Sequence, residues 1–197
     1  MVRGQIYLRI TDISVRALIT VADGVEELEC VTLIDVLRRA EIEVLVASIE
    51  GRRMVTCAHG TRLTADAMLV DVLAQAFDLI VLPGGMPGAQ RLADHQPLAE
   101  RVQQQARAGL LFAAICAAPA LALQGYGVLK QRRMTCYPAF SDRLSGCTFV
   151  DQPVVVDGNC ITSQGPGTAL AFALTLVEQL CGKARRTAVA KAMLLAV

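Results

Sequence analysis

The chain has 197 residues, 54% of them hydrophobic but only 4% aromatic, and its 19 basic and 18 acidic side chains leave a formal net charge of +1. That length fits one domain whose core needs no disulfide or structural metal, and a core of Ala, Val and Leu suits parallel strands covered by helices on both faces. Near-neutral charge leaves no electrostatic footprint for nucleic acid or a membrane surface, so the Arg38-Arg39, Arg52-Arg53, Arg132-Arg133 and Arg185-Arg186 pairs read as solvated ends and loops.

In chain order, residues 1–14 read as a loosely held extension. Arg3, Arg9 and Asp12 interrupt its short apolar pieces, so no export signal is expected. Residues 15–197 read as a single domain. Val15 to Val21 predicts a buried strand, and Asp23-Gly24 a turn. Asp23 with Glu26 forms a plausible capping box for a helix over about Val25 to Ala40. Glu29 falls on an apolar stripe of that helix. Ile42 to Ser48 is a second strand, and pieces around Met54 to Cys57 and Arg62 to Ala65 suggest an edge hairpin.

Leu79 to Leu82 predicts a short core strand ended by Pro83-Gly84-Gly85, and a helix follows over about Pro97 to Ala108. Gly109 to Ile115 reads as the most buried strand, with Pro119 where a helix begins. Met134 to Tyr137 is a further short strand. Val154 to Val156 and Cys160 to Ser163 flank the hairpin signal Asp157-Gly158-Asn159. Gly165-Pro166-Gly167 precedes a helix from Thr168 to Cys181, closed by Gly182, and Ala184 to Val197 continues as a terminal helix. Strands alternating with helices argue an α/β fold with a parallel sheet.

Seven cysteines, an odd number without C-x-x-C spacing, predict reduced thiols and a cytoplasmic setting. With only His59 and His95 to help, no metal site is expected. The longest mostly apolar stretch, Gly109 to Leu123, is too short to span a bilayer.

Three features carry chemistry. Phe112-Ala113-Ala114-Ile115-Cys116-Ala117-Ala118-Pro119 runs a buried strand into a reactive side chain, small neighbours and a helix start, the context of a nucleophile elbow. Free N–H groups at that helix start are expected to lower the Cys116 pKa, although a lone cysteine there reads equally as inert packing. Glu29, a carboxylate on an apolar face, must be paired, protonated or part of a site. Gly84 and Gly85 end a core strand where open α/β sheets bind ligands, and are expected to leave N–H groups bare.

Taken together, Ala22-Asp23-Gly24-Val25-Glu26-Glu27-Leu28-Glu29, Asp35 to Ala40, Val81 to Gly85, Gly88-Ala89-Gln90, Ala114 to Pro119 and Thr162 to Thr168 resemble the ThiJ/PfpI family, in its YajL-like branch that includes the Parkinson-disease-associated protein deglycase. The resemblance implies a flavodoxin-like three-layer sandwich and a homodimer. It carries over Cys116 as nucleophile and Glu29 as the acid that shares its proton, with Gly85 and Ala117 giving N–H groups to an oxyanion. Gly84, Tyr137, Gly165, Pro166 and His59 become pocket candidates.

The function so implied is a cofactor-independent glyoxalase or deglycase acting on 2-oxoaldehydes such as methylglyoxal and glyoxal, or on their early adducts. The alternative is a non-enzymatic redox-sensing chaperone that works by oxidation of Cys116 under oxidative stress. The chain departs from some relatives at three positions: Tyr137 replaces a histidine near the cysteine, and His59 and Gln164 stand where arginines occur. No histidine follows His95, which argues against a Cys–His peptidase or glutaminase.

Overall fold

Apolar runs bounded by turn residues become strands that assemble side by side. The computed structural model describes residues 14–196, so all but the last residue of the extension expected over residues 1–14 lies outside the described residues. The strands are β1 (Arg16–Val21), β2 (Glu43–Ser48), β3 (Met54–Thr56), β4 (Arg62–Thr64), β5 (Ala67–Met68), β6 (Leu79–Leu82), β7 (Leu111–Ile115), β8 (Arg133–Met134), β9 (Thr148–Phe149), β10 (Val154–Asp157) and β11 (Cys160–Ser163). Seven of them form the main sheet in the order β10-β11-β7-β6-β1-β2-β5. Every pairing in it is parallel except β10 with β11 at one edge. β1, β6 and β7 lie at its centre, and β6 is buried along its whole length, as the unbroken apolar sequences of β6 and β7 and the apolar run of β1 around Thr20 require.

Helices α1 (Glu27–Arg39), α2 (Gly88–Ala93), α3 (Gln96–Arg107) and α4 (Ala169–Ala192) flank the sheet in a flavodoxin-like three-layer arrangement. α1 packs along α4, while α2 packs against α3 and against a π-helical segment, Pro119–Leu123. Together they enclose one core of buried Ala, Val, Leu and Ile side chains, in which Phe112 and Phe172 are the bulkiest.

Several boundaries differ from expectation for local reasons. α1 begins at Glu27, capped by the Glu26 side chain, which accepts the Leu28 N–H. Asp23 is not the cap: its carboxylate accepts the Thr56 N–H at 2.9 Å and pairs with Arg52, tying the β1–α1 loop to β3. The strand expected over Met134 to Tyr137 is only two residues long, because Tyr137-Pro138 opens a 3₁₀ turn over Pro138–Arg143. Gly182 ends the first half of α4 with φ of 82°, and the terminal helix then stops at Ala192 rather than reaching the C-terminus. The Asp157-Gly158-Asn159 signal gives the two-residue hairpin it predicts, with Asp157 opposite Cys160.

Candidate active site

β7 delivers the chain to Cys116, where the backbone turns with φ of 65°. That left-handed conformation costs a non-glycine residue roughly 1–2 kcal/mol. Two backbone bonds hold the turn: the Cys116 N–H donates to the Ser163 carbonyl at 3.0 Å, and the Cys116 carbonyl accepts the Tyr137 N–H at 2.7 Å. The first follows from sheet register, since Ser163 of β11 lies opposite Ile115 of β7. The strained turn expected from small neighbours is present. The helix behind it opens with Pro119 in a π-helical turn, a feature frequent at functional sites.

Glu29, in the first turn of α1, is wholly buried. Its Oε2 accepts the Gly84 N–H at 2.8 Å, and its Oε1 accepts no hydrogen bond. Gly84 is the spacer between acid and thiol: a Cβ there would fall 2.4 Å from the Cys116 Cβ and 3.0 Å from both the Cys116 Sγ and the Glu29 Oε2. Gly85 has φ of 86°, and a Cβ on it would fall 2.3 Å from the Glu26 nitrogen. Only glycines let the β6 loop close onto the start of α1 and bring Glu29 beside Cys116. The expectation that both glycines leave their N–H groups bare is therefore corrected for Gly84, whose N–H is taken by Glu29.

Burial pushes Glu29 up to about 7; the Gly84 N–H and the Cys116 side chain pull it back, and the Glu26 charge adds to the rise. Burial also pushes the Cys116 thiol up to about 12, and the Glu29 charge adds to that, while the Gly85 and Ala117 N–H groups at the sulfur pull down. The lowered thiol pKa expected from the helix start is thus overturned, because desolvation and a like charge outweigh two backbone donors. Protonation of Glu29 removes the like charge and turns the carboxyl into a donor toward sulfur, so one proton serves both groups.

The other candidates divide into two groups. Tyr137, Gly165 and Pro166 meet beside Cys116, lining with Pro138, Gln164 and Thr168 a cavity of about 190 Å³. The Tyr137 ring lies over Gly165, where a Cβ would come 3.3 Å from the Tyr137 Cδ2. His59 belongs elsewhere: its side chain is 75% exposed, with Nε2 3.3 Å from the Glu26 Oε2. Its N–H donates to the Glu27 carboxylate at 3.0 Å. Glu26, Glu27 and His59 are the one group among the described residues able to gather three metal-ligand atoms, but Glu27 is already engaged by backbone N–H groups of His59 and Thr61.

Sequence reasoning missed Glu26 as cap and as the partner of His59; the run Glu26-Glu27-Leu28-Glu29 was the available signal. Cys57 and Cys136 are buried, and burial pushes each up to about 11. No helix among the described residues is long and apolar enough to cross a membrane.

Comparison with known proteins places this fold among solved and curated relatives. The chain is 46% identical over 169 residues to protein DJ-1 homolog B of Arabidopsis thaliana; the match covers 85% of this chain and 39% of the relative, so the chain spans well under half the length of that protein. It is 38% identical over 176 residues to the glutathione-independent glyoxalase DJR-1.2 of Caenorhabditis elegans, covering 88% of this chain and 92% of that one. The crystal structure of Drosophila melanogaster DJ-1beta superposes with a TM-score of 0.91 at 41% identity, covering 94% of this chain and all of that one. The DJ-1/PfpI family model matches residues 15–179, nearly the whole described fold, and the chain belongs to the DJ-1/PfpI family.

Proposed function

We propose that this protein is a cysteine-dependent glyoxalase or deglycase acting on small 2-oxoaldehydes or on their early adducts. The single observation that carries the reading is the buried Glu29 carboxyl, raised to about 7 and set against Cys116 across Gly84. A C. elegans relative of similar length named as a glutathione-independent glyoxalase supports it.

The chemistry follows from one shared proton. The Cys116 thiolate adds to the aldehyde carbon, and Glu29 delivers its proton to the new oxyanion, giving a hemithioacetal. The Gly85 and Ala117 N–H groups stabilise charge at this centre. Glu29, now a carboxylate, removes the hydrogen from the former aldehyde carbon and returns it to the adjacent carbon, while the hydroxyl proton passes to the neighbouring oxygen. The aldehyde carbon is oxidised to a thioester as the ketone carbon is reduced to an alcohol, so no external oxidant or reductant enters. Water then cleaves the thioester: a 2-hydroxy acid leaves as its carboxylate, one proton returns to the Cys116–Glu29 pair and one goes to solvent.

A homodimer is part of this proposal. α1 exposes Leu28 at 51% and Val31 at 52%, and β3 exposes Met54 at 46%, apolar area suited to a second copy. The reading is tested by turnover of methylglyoxal to lactate, with Cys116→Ser and Glu29→Gln each expected to abolish it in folded protein. The redox reading has one observation in its favour, since the two N–H groups at the sulfur would equally hold the oxygens of a sulfinate. Absent turnover together with peroxide-driven addition of two oxygens at Cys116 would favour it.

A further inference from the structure

A second cavity, of about 380 Å³, lies at the far end of β7 from Cys116. Gln103, Ala106 and Arg107 border it from the C-terminal end of α3, and Tyr126, Val128 and Arg132 from the chain that follows the π-helical segment. β7 starts here, where the Phe112 N–H donates to the Asn159 carbonyl at 3.0 Å. The strand Leu111–Ile115 then puts roughly 15 Å, at ~3.3 Å per residue, between this end and the thiol. The volume falls within the ~300–1,000 Å³ of small-molecule sites, so a ligand held here has no contact with Cys116.

Arg132 is not the solvated residue that its place in the Arg132-Arg133 pair suggests. It is half-buried, with its guanidinium 5.3 Å from the centre of the Phe112 ring. Nε donates to the Val128 carbonyl at 3.1 Å, Nη1 to the Asp157 carbonyl at 2.9 Å and Nη2 to the Asn159 Oδ1 at 2.8 Å. These acceptors are all neutral, and two of the five guanidinium donors stay uncommitted. Arg107 is exposed. Among the described residues no carboxylate forms an ion pair with either arginine. Asp157, the acid of this region, turns its Oδ2 to the Arg133 N–H. Carbonyls at the end of α3 would oppose an anion, but that of Ala106 accepts the Asn159 Nδ2 and the Gly109 N–H, each at 3.2 Å. A half-buried cation held in place by neutral groups, with no counter-charge, is a preorganised anion receptor.

We infer that this cavity binds an aromatic phosphate of mononucleotide size. The two guanidinium groups of Arg107 and Arg132 match the charge of a phosphate monoester, and their forked donors match its oxygens. The ring follows from space and shape. A phosphate alone leaves most of 380 Å³ empty, Ala106 and Val128 give the cavity an apolar wall, and the planar guanidinium of Arg132 stacks on Phe112 through one face and has a second face for a planar ring. The site stands apart from the reaction proposed at Cys116 and needs no part of it.

The test is isothermal titration of the wild type, Arg107→Ala, Arg107→Glu and Cys116→Ser with adenosine monophosphate, adenosine and inorganic phosphate. Arg107 is exposed, so its variants are expected to fold, which circular dichroism checks. The nucleotide should bind the wild type at one site with a Kd below about 1 mM, and adenosine and phosphate should each bind about tenfold more weakly. Loss of one charged contact in Arg107→Ala should cost about tenfold in affinity. Arg107→Glu should abolish binding, added salt should weaken it, and Cys116→Ser should leave it unchanged. No binding of the nucleotide to folded wild type at millimolar concentration would overturn the inference. So would adenosine or phosphate binding as tightly as the nucleotide, or an affinity unmoved by Arg107→Glu. Binding lost in Cys116→Ser would place the ligand at the cysteine and overturn it too.

Discussion

Gly84 carries more of the site than its size suggests. Any side chain there drives into the Cys116 Cβ, the Cys116 sulfur and the Glu29 carboxylate at once, with no flexible end to give way. Gly84→Ala is expected to cost about 1–3 kcal/mol of stability, the usual penalty of overpacking, and to remove activity by spreading the acid from the thiol. Thermal denaturation and a turnover assay on the same preparation check both effects.

Glu29 gives a pH signature of opposite sign to that of most acids. Its folded-state value, about 7, lies above the ordinary 4.5, so the folded chain holds an extra proton between those limits. Stability attributable to Glu29 is then present below pH 4.5 and lost as pH rises to 7, by about 3 kcal/mol. Glu29→Gln keeps an acceptor for the Gly84 N–H and cannot ionise, so its melting temperature relative to the wild type should climb between pH 5 and 8. A constant difference across that range would refute the raised pKa. Alkylation of Cys116 by iodoacetamide should likewise rise through about pH 7 in the wild type, with that inflection absent in Glu29→Gln.

At the scale of elements, the parts of the fold most legible in the sequence were those set by local chemistry. The apolar run Leu79 to Leu82 and the Asp157-Gly158-Asn159 hairpin appear where the residues put them. Gly182 breaks α4 with φ of 82° and ψ of 167°, a conformation essentially confined to glycine, and with open space around it. Gly182→Ala meets no atom, so its cost is the backbone penalty alone, about 1–3 kcal/mol, read as a drop in chemical-denaturation midpoint with no loss of activity. What the sequence hid depended on distant partners. Asp23 reads as a cap until Thr56 and Arg52 are seen to claim it. The Cys116 pKa reads as lowered until burial and the Glu29 charge are weighed against the two N–H groups. Glu29 itself was visible as an acid on an apolar face, but the glycine that couples it to the thiol was visible only as a turn.

For the whole molecule, the sheet order places the candidate site, because β6, β7 and β11 end side by side and their following loops meet around Cys116. The same fold leaves Leu28 and Val31 exposed on α1, the proposed contact with a second copy. Val31→Glu is expected to halve the mass seen by light scattering while leaving the far-UV spectrum unchanged; an unaltered mass would place the contact elsewhere.

The central claim is that Cys116 and Glu29 work as one proton-sharing pair. Its most direct test is steady-state conversion of methylglyoxal to lactate by the wild type, Cys116→Ser and Glu29→Gln, with chelator present and folding verified by circular dichroism. The account predicts multiple turnovers in the wild type and none above background in either variant. Turnover that survives Glu29→Gln undiminished, or a folded wild type that does not convert the substrate, would contradict it.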